Sequence, residues 1–523
     1  MLSNQCRIPA KSCLVAALIL AGCAGSKPAV KAAAQPVAAQ PVAPKPAAVQ
    51  EAPAAAEPVT PDAEFRQSKP RALPSQAAFE APVPVRLKLA SGARLLVVEN
   101  HNVPLVAISV LIEAGNDADP LPKAGLADFV ASMLDEGTRT RTAPQLAEAI
   151  ENLAAHLNAS AGPEYTRVSL NSLKETLPQA LDILADVLVD PAFRPADIER
   201  VRGLLLTDLL QKNANPGAVA RDQMDLLLYG PKHPWGQPSG GTTETIKSIS
   251  QADLIKFHAA WYRPNNAIIA VAGDITPAEA KRLLDQRLAS WKAKAVPKLH
   301  LPALPPMKAR GITLIDKRGT QSQVWVAGPL FAARSPDAVA MRVANNILGG
   351  LFGSRLNLNL REDKGYSYGV RSQVSLMKDT GFLLAAGGIV AKHTAEALVE
   401  YEKELDKFAD GAVSDEELAK AKEALARSLP SALETDDAIA NAVSTANFNG
   451  EPLDYYKTLP ERIARVTRAE VARVAKKWIK PEQWPVIVVG PGALSEQQLR
   501  ALDLGAVDVK GLSTESGAAG SRK

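Results

Sequence analysis

The sequence predicts an α+β protein made of two homologous α/β domains, each with an antiparallel-rich sheet packed by helices. Three observations lead to this prediction. Strand-like apolar runs alternate with helical patterns over most of the 523 residues. One ordered series of residues occurs twice along the chain. Between the two copies lies a Pro-rich stretch, residues 297–306, whose composition is typical of a linker.

The repeated series is a helix–Pro–strand–Gly unit, and its two copies are offset by 217 residues. A single Trp or Gly match would arise by chance, whereas an ordered series indicates duplication. Asp197, on a long predicted helix of the first copy, matches Glu417 of the second copy at an offset of 220 residues. Changes in loop length explain why this offset differs slightly from 217. The matched residues are Trp261, Pro264 and Gly273 in the first copy and Trp478, Pro481 and Gly490 in the second.

The N-terminus has the pattern of a secretory signal peptide. Arg7 and Lys11 precede an apolar run, residues 13–20, which is too short to span a membrane. The run leads into Leu-Ala-Gly-Cys, which resembles a bacterial lipobox and implies cleavage before Cys23 and lipidation of that residue. We therefore expect a lipid anchor in the cell envelope, in the outer membrane and facing the periplasm. An ordinary signal peptide with a chance cysteine is the alternative.

Composition divides the rest of the chain. An Ala/Pro-rich stretch follows Cys23 and has too little apolar surface to fold, so we expect an extended tether. The net charge is only +4 and basic residues are spread among acidic ones, which argues against a nucleic-acid partner. The predicted segments are a signal peptide at 1–22, a lipidated tether at 23–81, an N-terminal domain at 82–293, a linker at 294–311, a C-terminal domain at 312–492 and a partly disordered tail at 493–523.

Hydrophobic periodicity and turn residues predict the elements of the first domain in chain order. The predicted strands are 86–89, 94–98, 106–112, 165–170 and 267–272, and the predicted helices are one ending before Gly137, then 142–157, 177–189, 195–213 and 251–262.

The helix before Gly137 carries the first motif. Residues 125–138 resemble the zinc-site helix of the insulinase/pitrilysin/mitochondrial-processing-peptidase family, the inverted zincins, whose segment reads Gly-Leu-x-His-x-x-Glu-His-Met-x-x-x-Gly-Thr. The flanking residues of the segment are present, but Asp128 and Ser132 stand at the two His positions, and Ala131 stands at the position of the general base. The resemblance covers residues 82–492 and implies a pair of domains that form half of a clam-like peptide chamber.

The resemblance also implies a third zinc ligand about 80 residues downstream, where Asp208 lies. Two carboxylates and a hydroxyl are a poor zinc set, because catalytic zinc favours imidazole or thiolate ligands. None of the six histidines supplies a His-x-x-x-His pair. A calcium site at Asp128 and Asp208 is an alternative, although calcium needs six or more oxygens. We expect instead an ordinary solvated helix face.

The second half carries the second motif. A Gly-rich turn with Gly349, Gly350 and Gly353 precedes Leu-Arg-Glu-x-x-Gly-x-x-Tyr, as in the C-terminal domain of the same family. The resemblance implies that Arg361 and Tyr368 reach across to the zinc site of an opposing domain. No Gly-Lys-Ser/Thr follows the glycines, so they are not a nucleotide loop, and we expect a flexible wall of the peptide chamber.

Peptide hydrolysis explains why this chemistry needs an arginine and a tyrosine. A phenol can donate to the oxyanion of the tetrahedral intermediate, and a guanidinium can hold a substrate carbonyl. The structural alternatives are a surface ion pair of Arg361 with Glu362 or Asp363 and a packing role for Tyr368. Tyr366 is the weaker candidate because it lies five positions after Arg361, whereas the family's tyrosine lies seven positions after the arginine.

These patterns lead to one leading hypothesis. The chain is the non-zinc subunit of a periplasmic heterodimeric metallopeptidase, with no cofactor of its own and zinc in a homologous partner subunit. Arg361 and Tyr368 complete that partner's site, and the substrates are unfolded peptides. The alternative is a non-catalytic scaffold or peptide-binding protein of the same fold. A self-sufficient zinc peptidase is disfavoured by Asp128, Ala131 and Ser132.

Overall fold

The computed structural model describes residues 79–307 and 310–511. The predicted signal peptide, Cys23 and nearly all of the predicted tether therefore lie outside the described residues. The described residues belong to one compact unit, 76–523. None of the helices within these ranges combines the length and apolar character that a bilayer crossing requires.

The first half contains a six-stranded sheet in the order β1-β2-β6-β3-β5-β4. Its neighbouring strands run antiparallel except for β2 and β6, which are parallel. The strands are β1 (Val85–Lys88), β2 (Arg94–Glu99), β3 (Leu105–Ile112), β4 (His156–Ala161), β5 (Thr166–Leu173) and β6 (Ala267–Gly273).

Eight α-helices accompany these strands in the described part of the first half. They are α1 (Leu126–Met133), α2 (Ala143–Asn152), α3 (Leu177–Val189), α4 (Pro195–Ala214), α5 (Pro216–Tyr229), α6 (Thr243–Ser248), α7 (Gln251–Trp261) and α8 (Pro277–Arg287).

The second half repeats the architecture with a sheet in the order β12-β7-β11-β8-β10-β9, in which β7 runs parallel to both β11 and β12. The strands are β7 (Gly311–Asp316), β8 (Gln321–Leu330), β9 (Ser367–Leu376), β10 (Gly381–Val390), β11 (Val486–Gly490) and β12 (Ala506–Gly511). The helices are α9 (Ala338–Asn345), α10 (Arg355–Asn357), α11 (Thr394–Ala409), α12 (Asp415–Ala432), α13 (Asp436–Phe448), α14 (Tyr455–Arg465), α15 (Arg468–Trp478) and α16 (Gly492–Ala501).

The predicted fold class is confirmed: each half is an α/β domain with a mixed, antiparallel-rich sheet packed by helices. The repeated unit corresponds to α7 followed by β6 and to α15 followed by β11. Both helices begin with a capping box, in which the Ser250 or Thr467 hydroxyl accepts from the backbone N–H three residues on. Both strands are buried along their whole length, as expected for central strands.

Two predicted boundaries need correction. The helix expected at 142–157 ends at Asn152, because Ala154 has a left-handed φ of 47° and the chain then enters β4. The expected tail at 493–523 begins too early, since β12 adds a strand beside β7. Main-chain hydrogen bonds to β7 hold this segment in place, and the composition of the segment alone does not reveal them. The remaining domain boundaries stay predictions.

The two halves exchange helices. Helix α13 of the second half packs on β3 and β6 of the first sheet, where Ile439 and Val443 join the cluster around Ile268. Helix α5 of the first half packs on β8 and β11 of the second sheet, where Met224 joins the cluster around Ile487. The central strands of each sheet are buried on both faces, so each half needs the other to cover its second face.

Candidate functional site

Helix α1 is fixed at its N-terminus by close backbone packing. Gly125 precedes it with φ of 88°, and a Cβ added there would lie 2.6 Å from the Gly240 carbonyl oxygen. The buried Asp119 carboxylate caps the helix by accepting hydrogen bonds from the N–H groups of Gly125 and Ala127, each at 2.8 Å. The zinc-type frame of the sequence is therefore retained as a rigid structural element.

Asp128 is not on a solvated face, which corrects the expectation from sequence. One carboxylate oxygen accepts from the Asn116 side-chain amide at 2.7 Å. Burial raises the pKa of Asp128, while hydrogen bonds from Asn116 and Gly240 and the charge of Lys212 act in the opposite direction. The side chain turns inward because the segment before the helix supplies a donor for it, which is a tertiary contact and not a property of the helix pattern.

The other positions at which the family resemblance expects zinc-site residues are equally unsuited to the metal. Ala131 is 1% exposed and has no polar side-chain atom. The Ser132 hydroxyl donates to the Asp128 carbonyl oxygen within its own helix, at 2.9 Å. Asp208 is exposed on α4, as expected for a solvated face. Asp128, Ser132 and Asp208 therefore offer only oxygen donors, two of them already engaged in hydrogen bonds, and they do not fit zinc. Across the described ranges no three His, Cys, Asp or Glu side chains are grouped so that they could hold a metal ion.

Arg361 lies in a π-helical segment, Leu358–Asp363, that continues α10. Its guanidinium carbon is 4.5 Å from the centroid of the Phe352 ring, a cation–π arrangement. Its Nε atom is also 3.3 Å from a carboxylate oxygen of Glu362, the ion pair that the structural alternative expected. The side chain remains 37% exposed, so the guanidinium is both held in place and accessible.

Tyr368 lies on β9, which is an edge strand of the second sheet, and its side chain is 84% exposed. A β-bulge explains this orientation: Val370 pairs with Gly387 and Ser367 with Ile389, so Tyr368 and its neighbour face one residue of β10. Bulges turn side chains outward beside functional sites. An apolar packing role for Tyr368 within this chain is excluded by its exposure.

The Ser367 hydroxyl stabilises the bulge, a contribution that sequence reasoning missed. It donates to the Gly388 carbonyl oxygen at 2.7 Å and accepts from the Gly369 N–H at 3.0 Å. Tyr366 has a different environment, because its ring stacks on His393 at 4.5 Å between centroids. Its N–H donates to the Leu360 carbonyl oxygen at 2.9 Å, which joins the Arg361 segment to the strand of Tyr368.

Two of the three glycines of the second motif lie in a helical turn, where the sequence predicts a flexible wall. Gly349 and Gly350 lie in a π-helical turn, Asn346–Gly350, that continues α9. A Cβ added at Gly349 would lie 2.3 Å from the backbone nitrogen of Ser372, so this glycine permits the turn to pack against β9. Gly353 lies in the following turn, beside the exposed Phe352. Phe352 is a residue that sequence reasoning missed, and its position as an aromatic residue between glycines is the feature that could have identified it.

Comparisons with known proteins agree with this architecture. The sequence profile described as "Insulinase (Peptidase family M16)" matches residues 94–230, and the profile described as "Peptidase M16 inactive domain" matches residues 248–425. The chain is 28% identical to the uncharacterized zinc protease YmxG of Bacillus subtilis, over 73% of this chain and 92% of that protein.

Two further similarities extend over most of the chain. The beta subunit of the mitochondrial-processing peptidase of Rattus norvegicus is 27% identical, over 75% of this chain and 82% of that protein. A crystal structure of a peptidase M16 inactive domain from Pseudomonas fluorescens superimposes with a TM-score of 0.73 and 27% identity. That superposition covers 78% of this chain and 98% of the other.

Proposed function

The chain belongs to the insulinase family of peptidases, peptidase family M16, and from this membership we propose that it is the non-zinc subunit of a periplasmic heterodimeric metallopeptidase. In this proposal a homologous partner carries the zinc, which polarises the scissile carbonyl and activates water. This chain supplies Arg361 and Tyr368 to the shared site. The observation that carries the proposal is the exposure of Tyr368, 84%, at a bulge of an edge strand.

The two halves of the chain differ in what they retain. In the first half Asp128 and Ser132 use their polar atoms within the protein, and Ala131 has no group that could accept a proton. In the second half Arg361 and Tyr368 direct donors to the surface. The first half therefore has no group that could activate a substrate, whereas the second half presents hydrogen-bond donors at the surface. Such a chain is suited to complement a partner that activates the substrate.

The chemistry of the two side chains defines their roles. The Tyr368 hydroxyl donates a hydrogen bond to the oxygen that becomes negative in the tetrahedral intermediate. The Arg361 guanidinium holds a substrate carbonyl through its fixed fork of N–H groups, and the Phe352 ring restricts its movement. Both groups act by binding and orientation.

The test is a reconstitution with a candidate subunit that carries an intact His-x-x-Glu-His motif. Hydrolysis of an unfolded peptide is measured for this chain alone, for the candidate alone and for the mixture, with and without a chelator. We expect chelator-sensitive activity only in the mixture and a loss of about 100-fold in kcat with Tyr368→Phe, the size typical of one oxyanion donor.

Tyr366→Phe is the matched control, because this neighbouring tyrosine is stacked on His393 and should leave activity unchanged. A candidate that is fully active alone and unaffected by this chain would contradict the proposal. That result would favour a scaffold or peptide-binding role instead.

The periplasmic location is part of the proposal and is supported by the signal-peptide pattern that ends at Cys23. Lipidation at this residue anchors the chain to the outer membrane. Cys23→Ser should move the protein from the membrane fraction to the soluble fraction of the envelope. Recovery of the variant in the membrane at the original level would contradict lipid anchoring.

A further inference from the structure

A cavity of about 300 Å³ lies next to the former zinc position, between the first half and the second sheet. Asn116, whose amide donates to Asp128, and Gly125, which precedes α1, line one side. Met377 and Phe382 of the second half also line the cavity. The cavity is distinct from the surface of Arg361 and Tyr368, neither of which lines it.

Helix α5 and the turn after it supply the aromatic wall. Arg221, Asp225 and Tyr229 are spaced by four residues, so one face of the helix lines the cavity. The Trp235 ring packs edge-on against Tyr229, with centroids 5.4 Å apart and an interplanar angle of 75°. Phe382 completes this wall, and the Arg221 guanidinium carbon lies 5.0 Å from its ring centroid.

The polar groups of the lining are already engaged within the protein. Both Asp119 oxygens accept from the N-terminus of α1 at 2.8 Å. The Arg221 Nε atom donates to Asp225 at 2.8 Å, so this charge has an internal counterion. The Trp235 indole N–H donates to the Pro163 carbonyl oxygen at 3.0 Å. A polar ligand would have to displace these partners, whereas an apolar ligand would not.

Size and access define the ligand further. A volume of about 300 Å³ is at the lower limit of ligand pockets, so it accommodates one ring and not a folded segment. Leu121 also lines the cavity and is 40% exposed, which places the cavity's opening at the surface. Tyr229 and Trp235, by contrast, are less than one-tenth exposed. A ring can therefore enter while the atoms attached to it stay in water.

We propose that this cavity is a binding site for a single aromatic ring, whose face and edges contact Tyr229, Trp235 and Phe382. Aromatic pairs in such edge and offset arrangements stabilise one another beyond the burial of their area. The ring comes from a phenylalanine-type side chain of an extended peptide or from a free aromatic molecule. The site requires neither the partner subunit nor zinc.

The first test titrates the full chain with three probes and follows chemical shifts or heat. N-acetyl-phenylalanine amide should bind at least 10-fold more tightly than N-acetyl-alanine amide. The third probe, 2-phenylethanol, separates the two sources of the ring. Equal binding of 2-phenylethanol and the phenylalanine amide assigns the site to free aromatic molecules, and weaker binding of 2-phenylethanol assigns it to peptides. Equal binding of the phenylalanine and alanine amides would overturn the proposal.

The second test fills the cavity from within. Met377→Trp places a larger side chain into the cavity beside Tyr229, whose hydroxyl lies 3.9 Å from the Met377 sulfur, and should weaken binding of the phenylalanine amide at least 10-fold. Leu494→Trp is the matched control, since this residue is 55% exposed and does not line the cavity. Leu121→Ala at the opening should weaken binding several-fold without changing the unfolding midpoint. Unchanged affinity in both Met377→Trp and Leu121→Ala would overturn the proposal.

Discussion

Two tyrosines of the second motif, two residues apart, have opposite environments. Tyr366 stacks on His393 and joins the core of the second half, whereas Tyr368 is 84% exposed at the bulge. A phenol that contributes to packing is buried, and a phenol that binds a substrate must be accessible. The exposure therefore separates the functional candidate from the structural residue, which spacing alone had only favoured.

The effect of Tyr368→Ala on stability tests this distinction. Because the side chain is 84% exposed, the free energy of unfolding should change by less than about 0.5 kcal/mol. Tyr366→Ala should instead cost ~1 kcal/mol or more, since it removes a stacked aromatic pair. Urea denaturation measures both. A loss above ~1 kcal/mol for Tyr368→Ala would assign Tyr368 to packing.

Asp128 has a structural role, because it accepts a hydrogen bond from Asn116 in the segment before α1. Asp128→Ala removes the acceptor of the part-buried Asn116 amide, and leaving this donor unpaired should cost about 1 kcal/mol. Asp208→Ala on the exposed face of α4 serves as the control and should change stability by less than about 0.5 kcal/mol. Equal stabilities of the two variants in urea denaturation would show that Asp128 does not fix the segment before α1.

At the scale of elements, an ion pair joins α10 to the N-terminus of α12. Arg355 donates to Glu417 through two nitrogens, at 2.6 and 2.8 Å. Glu417 also accepts from the Ser414 N–H at 2.9 Å, as the third residue of a capping box. Arg355 thus ties the segment that carries Arg361 to the N-terminus of α12.

The pH dependence of stability follows from this pair. Arg355, followed by the Ser414 hydrogen bonds, lowers the pKa of Glu417 to about 2 from 4.5. A lowered pKa stabilises the folded state above pH 4.5, and this contribution is lost as the pH falls toward 2. Since the carboxylate is about one-third exposed, Glu417→Gln should cost only ~1 kcal/mol at pH 7 and weaken the acid dependence.

Glu423→Gln is the matched control, because Glu423 forms an exposed i,i+4 pair with Arg427 on the same helix. This variant should leave both the stability and its acid dependence unchanged. Denaturation series at pH 7, 4.5 and 3 measure the difference. If Glu417→Gln and Glu423→Gln have the same acid profile, the Arg355 pair does not stabilise α12.

At the scale of the whole molecule, the exchange of α5 and α13 joins the two halves into one cooperative unit. Arg167 of β5 strengthens the exchange by donating to Asn441 at 2.7 Å, Ser444 at 2.8 Å and Thr445 at 2.7 Å of α13. The cavity proposed for an aromatic ring also has walls from both halves.

Two core substitutions test this cooperativity. Met224→Ala in α5 and Ile439→Ala in α13 each remove a buried side chain from the sheet of the other half and should cost about 2–4 kcal/mol. Calorimetry should show a single transition that both variants shift downward. Leu494→Ala, at an exposed position, should leave it in place. Two separate transitions, of which each variant moves only one, would show that the halves unfold independently.

Local sequence patterns predict the fold best where they repeat. The observed bounds of helix α3 equal the predicted ones, and the duplicated helix–Pro–strand–Gly unit locates the two homologous domains. The patterns do not predict β4 and β12, because a strand at the edge of a sheet is defined by its hydrogen-bonding neighbour. Helix α5 was also missed, although Pro216 begins it, because the face that it covers lies in the other half.

The sequence by itself determined the family, the duplication and the loss of the zinc ligands, since these depend on which residues stand at which spacing. Only the tertiary structure decided that Asp128 turns inward to Asn116, that a bulge directs Tyr368 outward and that Phe352 lies against Arg361. The aromatic cavity likewise combines residues more than 100 positions apart. The physical reason is that periodicity reports the local backbone, whereas exposure, pairing and cavities depend on contacts between distant segments.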